Sequence, residues 1–99
     1  MTVLINTAAE VTSQEIVLAD KNAVVEFVAK GLTGYEYVQI QVKVNGEWVN
    51  LVSAMRPLLR ADNNFVTMTG RQTLRLYKPV TTGIVSVTLV AGNTEFSLN

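Results

Sequence analysis

The sequence predicts an all-β fold: a small antiparallel β-sandwich or partly open barrel of about seven to eight short strands. Three observations predict it. A hairpin runs from Tyr35 to Ser53 and turns at Asn45-Gly46. Other Val- and Thr-rich segments are split by Gly, Asn and Pro, with turn signals roughly every 8–12 residues. No segment reads as a crossover helix, which a parallel sheet would need.

The 99 residues fit one sandwich-like domain spanning 1–99. Thr2 to Ala9 alternates weakly, so residues 1–12 read as an edge strand or a loosely held arm. Gln14 to Ala19 is apolar and β-like, and Asp20-Lys21-Asn22 is a turn. Ala23 to Ala29, with Val24, Val25, Phe27 and Val28, reads as a strand partly covered on both faces. A helix over Asn22 to Lys30, capped by Asn22, is the alternative, but β-branched content and short length weigh against it.

In Val38 to Val44 the apolar residues recur with period two. Asn45-Gly46 suits a two-residue type I′ turn, which needs φ > 0 at both positions and so sets the register. Val42 then opposes Val49, and Ile40 opposes Leu51, on the core face. On the other face Lys43 opposes Trp48, Gln41 opposes Asn50 and Gln39 opposes Val52, with Tyr37 near Ala54.

Pro57 in Met55-Arg56-Pro57 interrupts the sheet, and Leu58-Leu59 plugs an end of the core. Asp62-Asn63-Asn64 is a turn, and Phe65 to Thr69 is a strand ending at Gly70. Arg71 to Tyr77 alternates, with Leu74 and Leu76 on one face and Arg71, Thr73, Arg75 and Tyr77 on the other. After a loop from Pro79 to Gly83, Ile84 to Ala91 is a strand with Val85, Val87 and Leu89 inward. Arg71 to Val90 thus looks like a second long hairpin. Gly92-Asn93 turns into a closing edge where Phe96 and Leu98 pack.

Hydrophobic residues make up 48% of the chain and charged residues 16%, with a formal net charge of +0. That balance offers no basic field to nucleic acid, and Arg56, Arg60, Arg71 and Arg75 read as solvated or paired surface groups. There is no cysteine, hence no disulfide or thiolate zinc site, and stability must come from the core or from oligomerisation. The N-terminus lacks the pattern of a secretory signal, and no apolar run approaches the roughly 20 residues of a membrane helix.

There is also no histidine, so Ser–His and Cys–His nucleophilic arrangements cannot be built. Ser13, Ser53, Ser86 and Ser97 sit in no motif. Glu36 and Glu47 fall apart from one another on the hairpin, unlike a glycosidase pair. Asp62-Asn63-Asn64 is too short for a calcium loop, and Gly31 and Gly34 form no phosphate-binding pattern. The expectation is a non-enzyme without cofactor or bound metal. Trp48 alternates away from the core face. It is a candidate for packing within the monomer, for a protein interface, or for stacking on a sugar. Tyr35, Tyr37 and Tyr77 join it as candidate interface or ligand-platform residues.

The stretches Tyr37 to Trp48, Gly70 to Pro79 and Thr82 to Leu89 resemble, in style, small all-β structural virion proteins of tailed bacteriophages. Such proteins decorate capsids or form head–tail and fibre attachments. The resemblance implies a homo-oligomer that binds other virion proteins, made in the bacterial cytoplasm and resident in the virion. Within it a capsid decoration or cement role leads, with residues Thr2 to Thr12 as an arm that augments a neighbouring sheet. The rival expectation is a carbohydrate- or receptor-binding module with Trp48 and Tyr35 or Tyr37 as its platform.

Overall fold

The computed structural model describes residues 2–50, 58–91 and 97–98. Within them the chain forms β1 (Thr2–Thr7), β2 (Val11–Thr12), β3 (Ile16–Leu18), β4 (Val24–Lys30), β5 (Tyr37–Val44), β6 (Glu47–Asn50), β7 (Leu58–Arg60), β8 (Phe65–Thr69), β9 (Gln72–Lys78), β10 (Val85–Ala91) and β11 (Ser97–Leu98). The four-stranded sheet has the order β1-β10-β4-β8. The seven-stranded sheet has the order β11-β3-β9-β5-β6, with β2 also paired to β9 and β7 to β5. All pairings are antiparallel. The architecture is a small β-sandwich. Its seven strands of four or more residues are those that periodicity can reveal, and β2, β3, β7 and β11 add pieces too short to alternate visibly.

One core fills the space between the sheets. β4 contributes Val25, Phe27 and Ala29, β10 contributes Val85, Val87 and Leu89, and β1 contributes Ile5. From the other sheet come Ile16, Leu18, Val38, Ile40, Leu59, Leu74 and Leu76. Every second residue points inward because strand side chains alternate between faces. The helix over Asn22 to Lys30 does not form. The Asn22 N–H donates to Asp20 Oδ1 at 2.8 Å, and the Ala23 N–H donates to the Asp20 carbonyl at 3.0 Å, closing a turn that feeds β4. Residues 2–12 serve both sheets: β1 is an edge of the smaller one, and β2 pairs with β9 in the larger.

The hairpin turn has φ of 50° at Asn45 and 83° at Gly46, as a type I′ turn requires. Val42 opposes Val49, Lys43 opposes Trp48, and Gln41 opposes Asn50, as the sequence predicts. Beyond Gln41 the expected pairing changes. Gln39 faces Leu58, and Tyr37 faces Arg60, because β7 takes that side of β5. Leu58-Leu59 is therefore strand rather than an end plug, with Leu59 fully buried. Val49 is 45% exposed, not core: it lies near the tip of the hairpin, where Val44 is 47% exposed as well. The expectations for Leu51 to Pro57, Gly92-Asn93 and Phe96 lie outside the described residues.

The second expected hairpin does not exist. β9 belongs to the larger sheet and β10 to the smaller, so the segment after Lys78 crosses the sandwich instead of folding back. β9 instead pairs with β5 and β3, and β10 with β1 and β4. Leu98, expected to pack at the closing edge, lies on the edge strand β11 and is exposed.

Candidate interaction surfaces

The outer face of the seven-stranded sheet carries most of the residues singled out by sequence. Trp48 is half-buried, and the Arg75 guanidinium lies 4.3 Å from its ring centroid. The Lys43 ammonium sits at 5.7 Å from the same centroid. Arg75 Nε donates to Gln41 Oε1 at 2.6 Å, and Gln41 Nε2 donates to Asn50 Oδ1 at 2.8 Å. Lys43 also reaches Glu15 at 3.8 Å. Register explains the cluster: Gln41 opposes Arg75 on one side and Asn50 on the other, while Lys43 opposes Trp48. The ring thus engages cations through its π-face, within a network of amides and charges.

The tyrosines do not join Trp48. Tyr37 stands six residues from Lys43 along β5, a separation of roughly 20 Å at about 3.3 Å per residue. Tyr35, 90% exposed, precedes β5 and lies still further from the tip. A shared platform of Trp48 with Tyr35 or Tyr37 is therefore not formed. Tyr77 opposes Gln39, on the same face as Tyr37. Its hydroxyl donates to Glu10 Oε2 at 2.7 Å. That hydrogen bond first, then desolvation, raises the Tyr77 pKa above the usual tyrosine value.

Two residues organise the crossing loop: Glu36, which the sequence offered only as an unpaired carboxylate, and Lys78, which sequence reasoning passed over. Glu36 Oε1 accepts from the Thr33 N–H at 2.9 Å and the Thr33 hydroxyl at 3.0 Å. Glu36 Oε2 accepts from the Thr82 N–H at 2.7 Å and the Thr82 hydroxyl at 3.1 Å. One carboxylate ties the β4–β5 loop to the β9–β10 crossing. The backbone donors of Thr82 and Thr33 hold its pKa at about 2, down from 4.5. Lys78 continues the inward series Leu74, Leu76 and is fully buried. Its ammonium donates to the Pro79 carbonyl at 2.8 Å and to Thr81 Oγ1 at 3.1 Å. Burial lowers its pKa, and the charge of Glu36 acts in the opposite sense. The spacing Thr33-x-x-Glu36 matches the capping-box pattern of helix starts, in which the Glu side chain reaches back to the N–H three residues earlier, and the same reach-back is made here in a loop.

The outer face of the four-stranded sheet has a different character. Register aligns Val3, Thr88, Val28 and Phe65 in one row across all four strands. Val3 is 60% exposed and Phe65 is 54% exposed, with Val28 half-buried between them. Val24, also exposed, stands on the same face of β4. Single exposed apolar residues are ordinary on a protein surface; here Val28 and Phe65 are neighbours in one row, and the half-buried Thr88 stands between them and Val3.

The described arginines are dispersed. Arg71 Nε donates to the Ala19 carbonyl at 2.9 Å, Arg75 covers Trp48, and Arg60 lies 3.8 Å from Asp62. Arg56 lies outside the described residues. Among the described residues no three His, Cys, Asp or Glu side chains converge as a metal site, and no helix is long and apolar enough to cross a membrane. In comparisons with known proteins, no family model, no curated protein and no solved structure matches the chain.

Proposed function

We propose that this protein is a non-enzymatic structural component of a virion, a capsid decoration protein that works through protein–protein surfaces. The observation that carries the reading is the row Val3, Thr88, Val28 and Phe65, apolar but for Thr88, across the outer face of the smaller sheet. A strip of this kind loses water-exposed apolar area when a partner covers it, which is the main favourable term in association. The neutral chain and its resemblance in style to small phage structural proteins support the same reading. Bound protein stabilises a particle by mass action, because it binds the intact shell and not its dispersed subunits.

The test uses particles assembled with and without the protein. Particles that carry it resist heating or chelation better, and the protein sediments with them. The Val3→Asp variant sediments less, since a carboxylate is costly to bury without a partner. Unchanged resistance, together with no sedimentation of the wild-type protein, would sink the reading.

A further inference from the structure

The edge strand β8 carries a set of backbone groups with a defined direction. The Ala29 N–H donates to the Asn64 carbonyl at 2.7 Å, and the Gly70 N–H donates to the Ala23 carbonyl at 2.9 Å. Val28 opposes Phe65, and Val24 opposes Thr69. In an antiparallel pair, hydrogen-bonded and non-hydrogen-bonded positions alternate. Asn64, Val66, Met68 and Gly70 therefore turn their backbone groups toward β4. Phe65, Thr67 and Thr69 turn theirs away from it. Among the described residues β8 ends its sheet, with no strand on that outer side.

The other edges carry features that discourage strand addition. β1 has a register shift between Val3 and Ile5, and β11 holds two residues. β6 is a four-residue hairpin arm that begins with Glu47. Bulges, shortness and charge are the usual means of blunting an edge. β8, with the sequence Phe-Val-Thr-Met-Thr, has five residues, no charge, no proline and a continuous register.

We propose that β8 pairs antiparallel with β8 of a second copy across a two-fold axis at Thr67, joining two four-stranded sheets into one of eight. A second copy is the occupant because the segment is complementary to itself. A two-fold axis sets the central residue against its own copy and every other residue against its symmetry-related position, so a charge at the centre of the strand would meet its like. β8 has none. With the axis at Thr67, the outward groups of Phe65, Thr67 and Thr69 meet those of Thr69, Thr67 and Phe65 in the second copy. All six N–H groups and all six carbonyls of the two outward sets become paired. Phe65 then stands beside the small Thr69 of the second copy, and its ring gains cover on the outer face. Val66 and Met68, half-buried against the core, come opposite one another on the inner face. The apolar rows of the two copies merge into one surface. The pairing does not depend on the virion reading, and the merged surface is what that reading would use.

Light scattering on the purified full chain, joined to amide hydrogen exchange, tests the pairing. The expected mass is that of a dimer, with slow exchange at the Phe65, Thr67 and Thr69 amides. Thr67→Lys sets two ammonium groups together at the axis, and Thr67→Pro removes the outward donor, a change an edge strand tolerates. Both variants are expected to be monomers with a wild-type circular dichroism spectrum, and Thr67→Lys to exchange those amides at least tenfold faster. Asn6→Lys, on the β1 edge, stays dimeric. A monomeric wild-type chain at its highest soluble concentration overturns the proposal, even where the same chain sediments with particles. A dimer that survives Thr67→Lys, or one broken by Asn6→Lys, overturns it as well.

Discussion

One added methyl group at Gly31 measures how closely the β4–β5 loop approaches the start of β10. Gly31 has φ of +99°, and a Cβ there would overlap the backbone carbonyl oxygen of Ile84. A backbone oxygen cannot rotate away as a flexible side chain can. Gly46 supplies the control: its φ is +83°, and a Cβ there meets nothing within 4 Å. Both alanine variants bear the cost of a positive φ, about 1–2 kcal/mol. Gly31→Ala adds a forced backbone shift, about 1–3 kcal/mol on the scale of overpacking, for a total of about 2–5 kcal/mol. Urea unfolding followed by tryptophan fluorescence separates the two. With a denaturant slope of about 1–1.5 kcal/mol per M, the midpoint falls by about 0.7–2 M for Gly46→Ala and by about 1.3–5 M for Gly31→Ala. Equal midpoints for the two variants would refute the close approach, since the φ cost alone would then account for both.

The Glu36 carboxyl binds its proton less readily in the folded chain than in the unfolded one. Its contribution to stability is therefore present above pH 4.5 and is lost as the pH falls toward about 2. Acid unfolding monitored at fixed temperature should be less steep across that window in Glu36→Gln, and an unchanged profile would refute the clamp. Phe27, fully buried at the centre of the smaller sheet, is expected to cost about 3–5 kcal/mol on truncation to alanine, read from chemical denaturation. A double-mutant cycle on Trp48→Ala and Arg75→Ala should return a coupling of about 0.5–1 kcal/mol, the range for cation–π pairs at partly exposed sites. Zero coupling would mean that the stacking adds nothing beyond the separate packing of the two side chains.

Part of the candidate surface was legible before folding. Alternation placed Trp48, Lys43, Gln41, Arg75 and Tyr77 on the face away from the core, because strand side chains switch sides at every residue. What alternation could not supply was which strand stands next to which. Trp48 meets Arg75 only because β9 lies beside β5, a pairing between segments separated by β6, β7 and β8 in sequence. The apolar row on the smaller sheet was hidden for the same reason, since Val3, Val28, Phe65 and Thr88 come from four distant segments. Lys78 drew no attention in the sequence because it lies just past the alternating run Arg71 to Tyr77, yet its position two residues after Leu76 points it inward. There the Pro79 carbonyl and the Thr81 hydroxyl satisfy it.

The sequence by itself determined the class of fold, the hairpin turn with its register from Gln41 to Val44, and the inward residues of β9 and β10. These follow from local rules: strand periodicity and the backbone freedom that Asn45-Gly46 provides. Only the tertiary structure decided that β9 and β10 lie in different sheets, that β7 displaces β6 along half of β5, and that β8 stands at an edge among the described residues. Strand order depends on which apolar faces can be buried together and on where Glu36 and Thr81 hold the crossing loop. Those interactions join residues far apart in the chain, and no local pattern encodes them.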